Sequence, residues 1–213
     1  MHIPDGFLDT KTWAGAAALA AAAVSYAVRR TRDELGERQI PTLGVLAAFI
    51  FAAQMVNFPI AGGTSGHLLG AVLAAVLLGP WSAMIIMTTV LGVQCLFFQD
   101  GGITALGANV LNMGVIGVFA GYGVYRLLGI LFPTRTGRLA ATFFAAWVSV
   151  MVSALAAAAE LALSGTLPLT VALPAMLYWH AFIGLGEGMI TVAVVEYATR
   201  TNLVPALGLA EKL

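Results

Sequence analysis

Charge is scarce in this sequence: of 213 residues only 9% are Asp, Glu, Lys or Arg, while 60% are hydrophobic. Soluble domains carry roughly a quarter charged residues. Ten basic and ten acidic side chains cannot clothe a water-facing exterior of this size. Lysine is represented only by Lys11 and Lys212, and formal net charge is zero, so no basic patch offers itself to nucleic acid. The one cysteine, Cys95, excludes an intrachain disulfide and reads as a small residue in an apolar run. No GxxxxGK[ST] phosphate loop and no HExxH zinc motif occurs, and the glycine-rich 184–188 (GLGEG) lies inside an apolar run. A basic leader is also missing. The opening MHIPDGFLDT carries Asp5 and Asp9, so the first apolar run is expected to stay in the mature protein. Met1 is expected to stay as well, because His2 is too large for removal of the initiator.

What the chain has is apolar length. Runs bounded by Pro, Gly or charge fall at 12–28, 42–58, 67–79, 82–99, 103–131, 139–163 and 174–199. Most reach the ~20 residues that cross a hydrocarbon core. Seven prolines, Pro4 to Pro174, sit outside these runs or at their edges. The expectation is an all-α polytopic membrane protein of about seven transmembrane helices, one bundle over 1–213 without a linker. Basic residues orient it. Arg29, Arg30, Arg32, Arg38, Arg126, Arg135, Arg138, Arg200 and Lys212 fall on one side and only Lys11 on the other. The positive-inside rule then places the N-terminus outside and the C-terminus in the cytoplasm.

The third run is short. Residues 67–79 as a helix rise about 20 Å, less than the ~30 Å core. The stretch before it, Gly62 to Gly66, is poor at forming helix. Irregular backbone at membrane depth survives only where protein buries it or a cavity meets it. This predicts an outer tail at 1–10 and a pocket loop at 59–67, with His67 recessed at the pocket mouth. A second loop, Gln99 to Gly102, opens on the same side.

Of the three histidines, His2 and His67 face outside. A lone histidine in a membrane protein is more often a packing residue than a ligand. His2 is different by position. A free α-amine, the residue-2 amide nitrogen and the His2 Nδ1 can close a five- and a six-membered chelate ring in one plane. A fourth nitrogen from His67 would complete the square-planar set that suits Ni(II) or Cu(II). Against this, a helix N-terminus at His67 repels a cation, unless a deprotonated amide, Asp5 or Asp100 offsets it. From the residues alone, metal binding and plain packing both remain open. His180, beside Tyr178 and Trp179, reads as a buried hydrogen-bonding residue. Glu160, Glu187 and Glu196 are costly at membrane depth; pairing accounts for them, with Glu187 the one of most interest. Gln54, Asn57, Gln94, Gln99 and Asn109 are candidates to orient the imidazoles. The small residues from Ala14 to Ala23 permit close helix contact, inside the chain or with a partner.

Two stretches, MHIPDGFLD (1–9) and NFPIAGGTSGHLLG (57–70), resemble the signatures of the NikM/CbiM family. These are the substrate-binding membrane components of energy-coupling-factor transporters for nickel and cobalt. The resemblance runs end to end in size and apolar pattern. It implies a seven-helix bundle in a prokaryotic cell membrane, with the N-terminal tail plugging an outward pocket. It implies metal ligands at Met1 (amine), His2 (amide and ring) and His67 (ring), with Ni2+ or Co2+ as cargo and no resident cofactor. It also implies partners: a transmembrane coupling protein, a pair of cytoplasmic ATPases and a small accessory membrane subunit. The chain itself is then no enzyme. The tail form His-Ile-Pro-Asp-Gly resembles the nickel branch more than the cobalt branch. A cobalt-specific homologue feeding cobalamin synthesis is the alternative, followed by an intramembrane metalloenzyme or a self-contained channel.

Overall fold

The structure, a computed structural model, describes residues 1–34, 40–60 and 64–201. Arg38, Gly62, Gly63, Pro205 and Lys212 lie outside the described residues. Among the described residues seven helices follow one another: α1 (Thr10–Glu34), α2 (Ile40–Gln54), α3 (Ala71–Leu78), α4 (Pro80–Phe98), α5 (Leu106–Leu131), α6 (Arg135–Leu163) and α7 (Leu169–Arg200). Four of them, α4 to α7, are long and apolar enough to cross a membrane, and α2 is apolar but shorter. Their outward faces suit lipid. Tyr178, Phe182, Leu185 and Met189 on α7 and Leu96, Phe97 and Phe98 on α4 are all exposed. Such large apolar side chains in series would associate in water.

The third run differs from expectation. The helix covers Ala71–Leu78 and not 67–79, and all eight of its residues are buried. At 1.5 Å per residue it is about 12 Å long. It packs against α4, α5, α6 and α7, so it ends inside protein, where its terminal backbone groups find partners. At its far end Gly79 turns the chain with φ 85°, a conformation open to glycine, and Pro80 begins α4 at once. Residues 59–67 were expected to be a pocket loop, with 62–66 poor at forming helix, and Phe58 to end the second apolar run. Phe58–Ile60 (β1) and Thr64–Gly66 (β2) pair as a small antiparallel hairpin, in the register Phe58↔Gly66, Pro59↔Ser65, Ile60↔Thr64.

Two further local departures bear on the pocket. Pro174 lies inside α7, in its second turn and not at an edge; having no N–H, it cannot donate to the carbonyl one turn back, at Thr170. Within α5 the segment Val110–Ile116 is π-helical, a rare winding often found at functional positions. It is held from α6, whose Ser153 Oγ donates to the Asn112 carbonyl (2.9 Å) and Ser149 Oγ to the Gly117 carbonyl (2.7 Å). The small residues of α1 serve partly inside: Ala16, Ala20 and Ala27 are buried, and Ala17 meets Gly107 of α5.

Helix approach at the core depends on Gly121 of α5. A Cβ there would strike Val72 of α3 and lie 2.9 Å from Ser149 Cβ on α6. Gly123, two residues on, has open space around it. Gly121→Val is therefore expected to destabilise the bundle by about 1–3 kcal/mol, while Gly123→Val is neutral. Thermal unfolding in detergent distinguishes them; equal midpoints for the two variants would contradict this packing.

Candidate metal site

The N-terminal tail enters the bundle. Met1 is 1% exposed, His2 4% and Ile3 0%. Buried backbone requires partners, and these are supplied in order. Asn109 of α5 grips Ile3 twice, its Oδ1 accepting from the Ile3 N–H (2.8 Å) and its Nδ2 donating to the Ile3 carbonyl (3.1 Å). That carbonyl also accepts from the Gly102 N–H (2.9 Å). Asp5 accepts from the amides of Ile103 (3.1 Å) and Thr104 (2.7 Å). Side-chain and backbone bonds from Thr104 hold its carboxyl below the usual range. The Met1 amine donates to the carbonyl and, at 3.2 Å, the hydroxyl of Ser65. Its register partner in the hairpin, Pro59, has no N–H, so the Ser65 carbonyl is free for another donor.

Burial decides protonation here. Desolvation lowers the pKa of the Met1 amine to about 4, against the opposing charge of Asp100. Desolvation, and then the amine's own charge, lowers His2 to about 3, against its hydrogen bond to Gln94. At neutral pH both groups carry lone pairs. His2 Nε2 is 3.1 Å from Gln94 Oε1, and with that oxygen accepting, the ring proton is on Nε2 and the lone pair on Nδ1. Nδ1 in turn lies 3.3 Å from Asp100 Oδ1. Two electron-rich atoms thus face each other, an arrangement that a cation stabilises. Asp100, its own pKa raised by burial, is held by Asn57 Nδ2 at 2.9 Å.

His67 comes to the same place. It is 1% exposed and its ring centroid is 4.5 Å from that of His2. Its Nδ1 lies 2.6 Å from the Leu68 carbonyl, and its buried Nε2 has no hydrogen-bond partner among the described residues. His67 does not head α3; it precedes it by four residues. The amides of Leu69 and Gly70, which carry the positive end of that helix, are both taken by Glu187 of α7, at 2.8 and 2.6 Å. The objection that a helix N-terminus repels a cation is thereby answered, because a carboxylate already neutralises it. Gln54 of α2 completes the clamp, donating to the Leu69 carbonyl at 2.7 Å. Gly70 itself needs φ 78° and has Ile50 against it.

Most residues singled out in the sequence find a place. Gln54, Asn57, Gln94 and Asn109 all brace the tail, Asp100 or the 67–70 segment, while Gln99 ends α4 with its side chain exposed. Of the two acids proposed to favour a cation, Asp100 meets His2 and Asp5 caps the 103–104 turn. Glu160 pairs with Asn112 Nδ2 (2.6 Å), and Glu196 with Arg135 and Arg200. His180 is buried and bonds the Met176 carbonyl. Ser65 was missed; only its closeness to His67 in sequence hinted at it. Among the described residues no three His, Cys, Asp or Glu side chains form a metal cluster, so a metal at His2 and His67 would need main-chain nitrogen.

Comparison with known proteins places the whole chain. Two crystal structures of a transition metal transporter, one of them truncated, superpose with TM-score 0.88 at 37% identity. They cover 94% of this chain and 99% and 93% of theirs. Fold and apolar exterior thus define a multi-pass cell-membrane protein of the transition-metal transporter class. The chain belongs to the CbiM family, described as the cobalt uptake substrate-specific transmembrane region, whose model matches residues 2–203. Relatives include a putative fused nickel transport protein NikMN of Archaeoglobus fulgidus, 46% identical over 96% of this chain and 68% of that protein. A cobalt transport protein CbiM of Sorangium cellulosum is 33% identical over 97% of this chain and 96% of its own length.

The Glu187 clamp is testable without metal. Glu187→Gln keeps the volume but removes the charge and one acceptor oxygen. The Leu69 and Gly70 amide protons are expected to exchange roughly tenfold faster, measured by hydrogen exchange in detergent. Unchanged exchange would contradict the clamp.

Proposed function

We propose that this protein captures Ni(II), or Co(II), at the outer face and delivers it inward as the substrate-specific subunit of an ATP-driven uptake transporter. The observation that carries the reading is a buried N-terminal amine beside two imidazoles whose centroids are 4.5 Å apart. The Met1 amine, the His2 amide and Nδ1, and the His67 ring form a four-nitrogen donor set for a planar ion. Nothing but nitrogen is required of the side chains. Asp100 offsets the ion's charge, and Asn109, Gln94, Gln54 and Glu187 hold the donors in register. Nickel is favoured by the planar chelate and by similarity to a protein named for nickel transport; relatives named for cobalt transport keep cobalt as the second reading.

Transport against a gradient needs an energy source, and the sequence has no phosphate loop. Hydrolysis is assigned to partner ATPases acting through a transmembrane coupling protein, with a small accessory membrane subunit. In this reading all seven helices serve one transmembrane unit, with residues 1–10 and 59–67 outside. The N-terminus is then outside and the C-terminus cytoplasmic.

The donor set is tested at the amine. Adding one Gly before Met1 leaves His2 and His67 in place but breaks the five-membered ring. Nickel binding is expected to fall by more than about a hundredfold and the yellow absorption of the planar complex to vanish. Zinc, content with a tetrahedral set, should suffer less. His67→Ala should likewise abolish tight nickel binding in a folded protein. Equal nickel affinity and spectrum for the extended chain would refute the amine as a ligand.

Orientation has its own test. Arg135 and Gly165 flank the two ends of α6. A reporter fused after Arg135 should read cytoplasmic and one within 165–170 external. The reverse result would put His2 on the wrong side for uptake.

A further inference from the structure

The chain has three histidines, and the capture set uses two. The third, His180, is 0% exposed. It lies on the buried face of α7 that runs through Met176, His180, Gly184 and Glu187. Met176 and Glu187 both touch the segment bearing His67. Met176 Sδ accepts from Thr64 Oγ1 of the hairpin at 3.1 Å, and Glu187 holds the Leu69 and Gly70 amides. His180 therefore stands between the two points where α7 braces that segment.

The ring is set as a ligand. His180 Nδ1 lies 2.7 Å from the Met176 carbonyl, and a carbonyl only accepts. The proton is accordingly on Nδ1 and the lone pair on Nε2, which is buried and has no hydrogen-bond partner among the described residues. His67 repeats the pattern, with Nδ1 on the Leu68 carbonyl and Nε2 unpartnered. A main-chain carbonyl on one ring nitrogen is how metal-binding histidines are oriented and made more basic. A histidine placed only for packing would be expected to satisfy its second nitrogen. Among the described residues no three such side chains gather around one point, so His180 stands apart from the capture set.

We propose that His180 Nε2 forms a second, weaker position for a divalent transition-metal ion, a transfer site that shares His67 with the capture site. The inference rests on the capture reading above. Release is a ligand exchange without redox chemistry. The His2 amide regains a proton from water, and the amine and His2 ring nitrogen let go. The ion keeps His67, and the His180 lone pair enters with water in the remaining positions. Loss of the planar chelate weakens binding at this position, as release requires.

The test uses the full chain with its native N-terminus in detergent and cobalt(II) as probe, read by its d–d absorption. His180→Asn keeps an N–H for the Met176 carbonyl but removes the Nε2 lone pair. Alone, it is expected to leave tight binding unchanged. His2→Ala should lose tight binding yet retain a weak cobalt site. Adding His180→Asn to it should weaken that residual site roughly tenfold or more, and His180→Cys in its place should restore it with a sulfur-shifted spectrum. Absence of any residual site in His2→Ala, or a residual site indifferent to His180→Asn, overturns the transfer site while leaving the capture reading intact. If His2→Ala binds cobalt as tightly as the parent, the capture reading falls, and the transfer site with it.

Discussion

Everything in the pocket depends on seating the N-terminal tail inside a helical bundle. A chain terminus normally brings a full positive charge, and burying one alone is costly enough that the group neutralises instead. Here the amine does so, its pKa falling to about 4. Its N–H bonds go to Ser65, and Asn109 takes both polar groups of Ile3. The same neutralisation that makes burial tolerable leaves a lone pair on the amine. Stability of the seated tail and competence to bind a cation are thus one property seen from two sides.

The second constraint is the short helix α3. Because it does not reach across the bundle, its N-terminus ends at pocket depth and brings positive potential where a cation would sit. Glu187 removes that conflict by accepting two amides at once. A carboxylate on a neighbouring helix therefore does three jobs: it caps α3, fixes the backbone that carries His67, and cancels the charge behind the site. The small hairpin completes the wall, because a proline opposite Ser65 leaves a carbonyl for the amine.

Much of this was legible in the sequence, and the rest was not for identifiable reasons. Helical class and the approximate runs follow from apolar length, which is read residue by residue. His2 stood out because it adjoins the α-amine, and His67 because it opens an unusually short run after a glycine-rich stretch. The true extent of α3 was hidden, since Leu68 and Leu69 are as compatible with helix as 71–78; the clamp from Gln54 and Glu187 and the φ of 78° at Gly70 hold them out of it. The partners of Glu187 and Glu160 were likewise illegible, because each lies dozens of residues away across helices. The π-helical turn at 110–116 has no sequence signature, and the serines that hold it are on α6. Asp100 was named with Asp5 as a possible counter-charge, and only packing distinguishes which one reaches the ring.

The most direct test of the buried neutral amine is a count of protons released on nickel binding at pH 7, by titration in buffers of different ionisation enthalpy. With the amine near 4 and His2 near 3, those nitrogens have no proton to lose. Only the His2 amide does, so about one proton should leave per nickel bound. Release of two or more would mean that the amine or the rings were charged before the metal arrived, and release of none would remove the amide from the donor set.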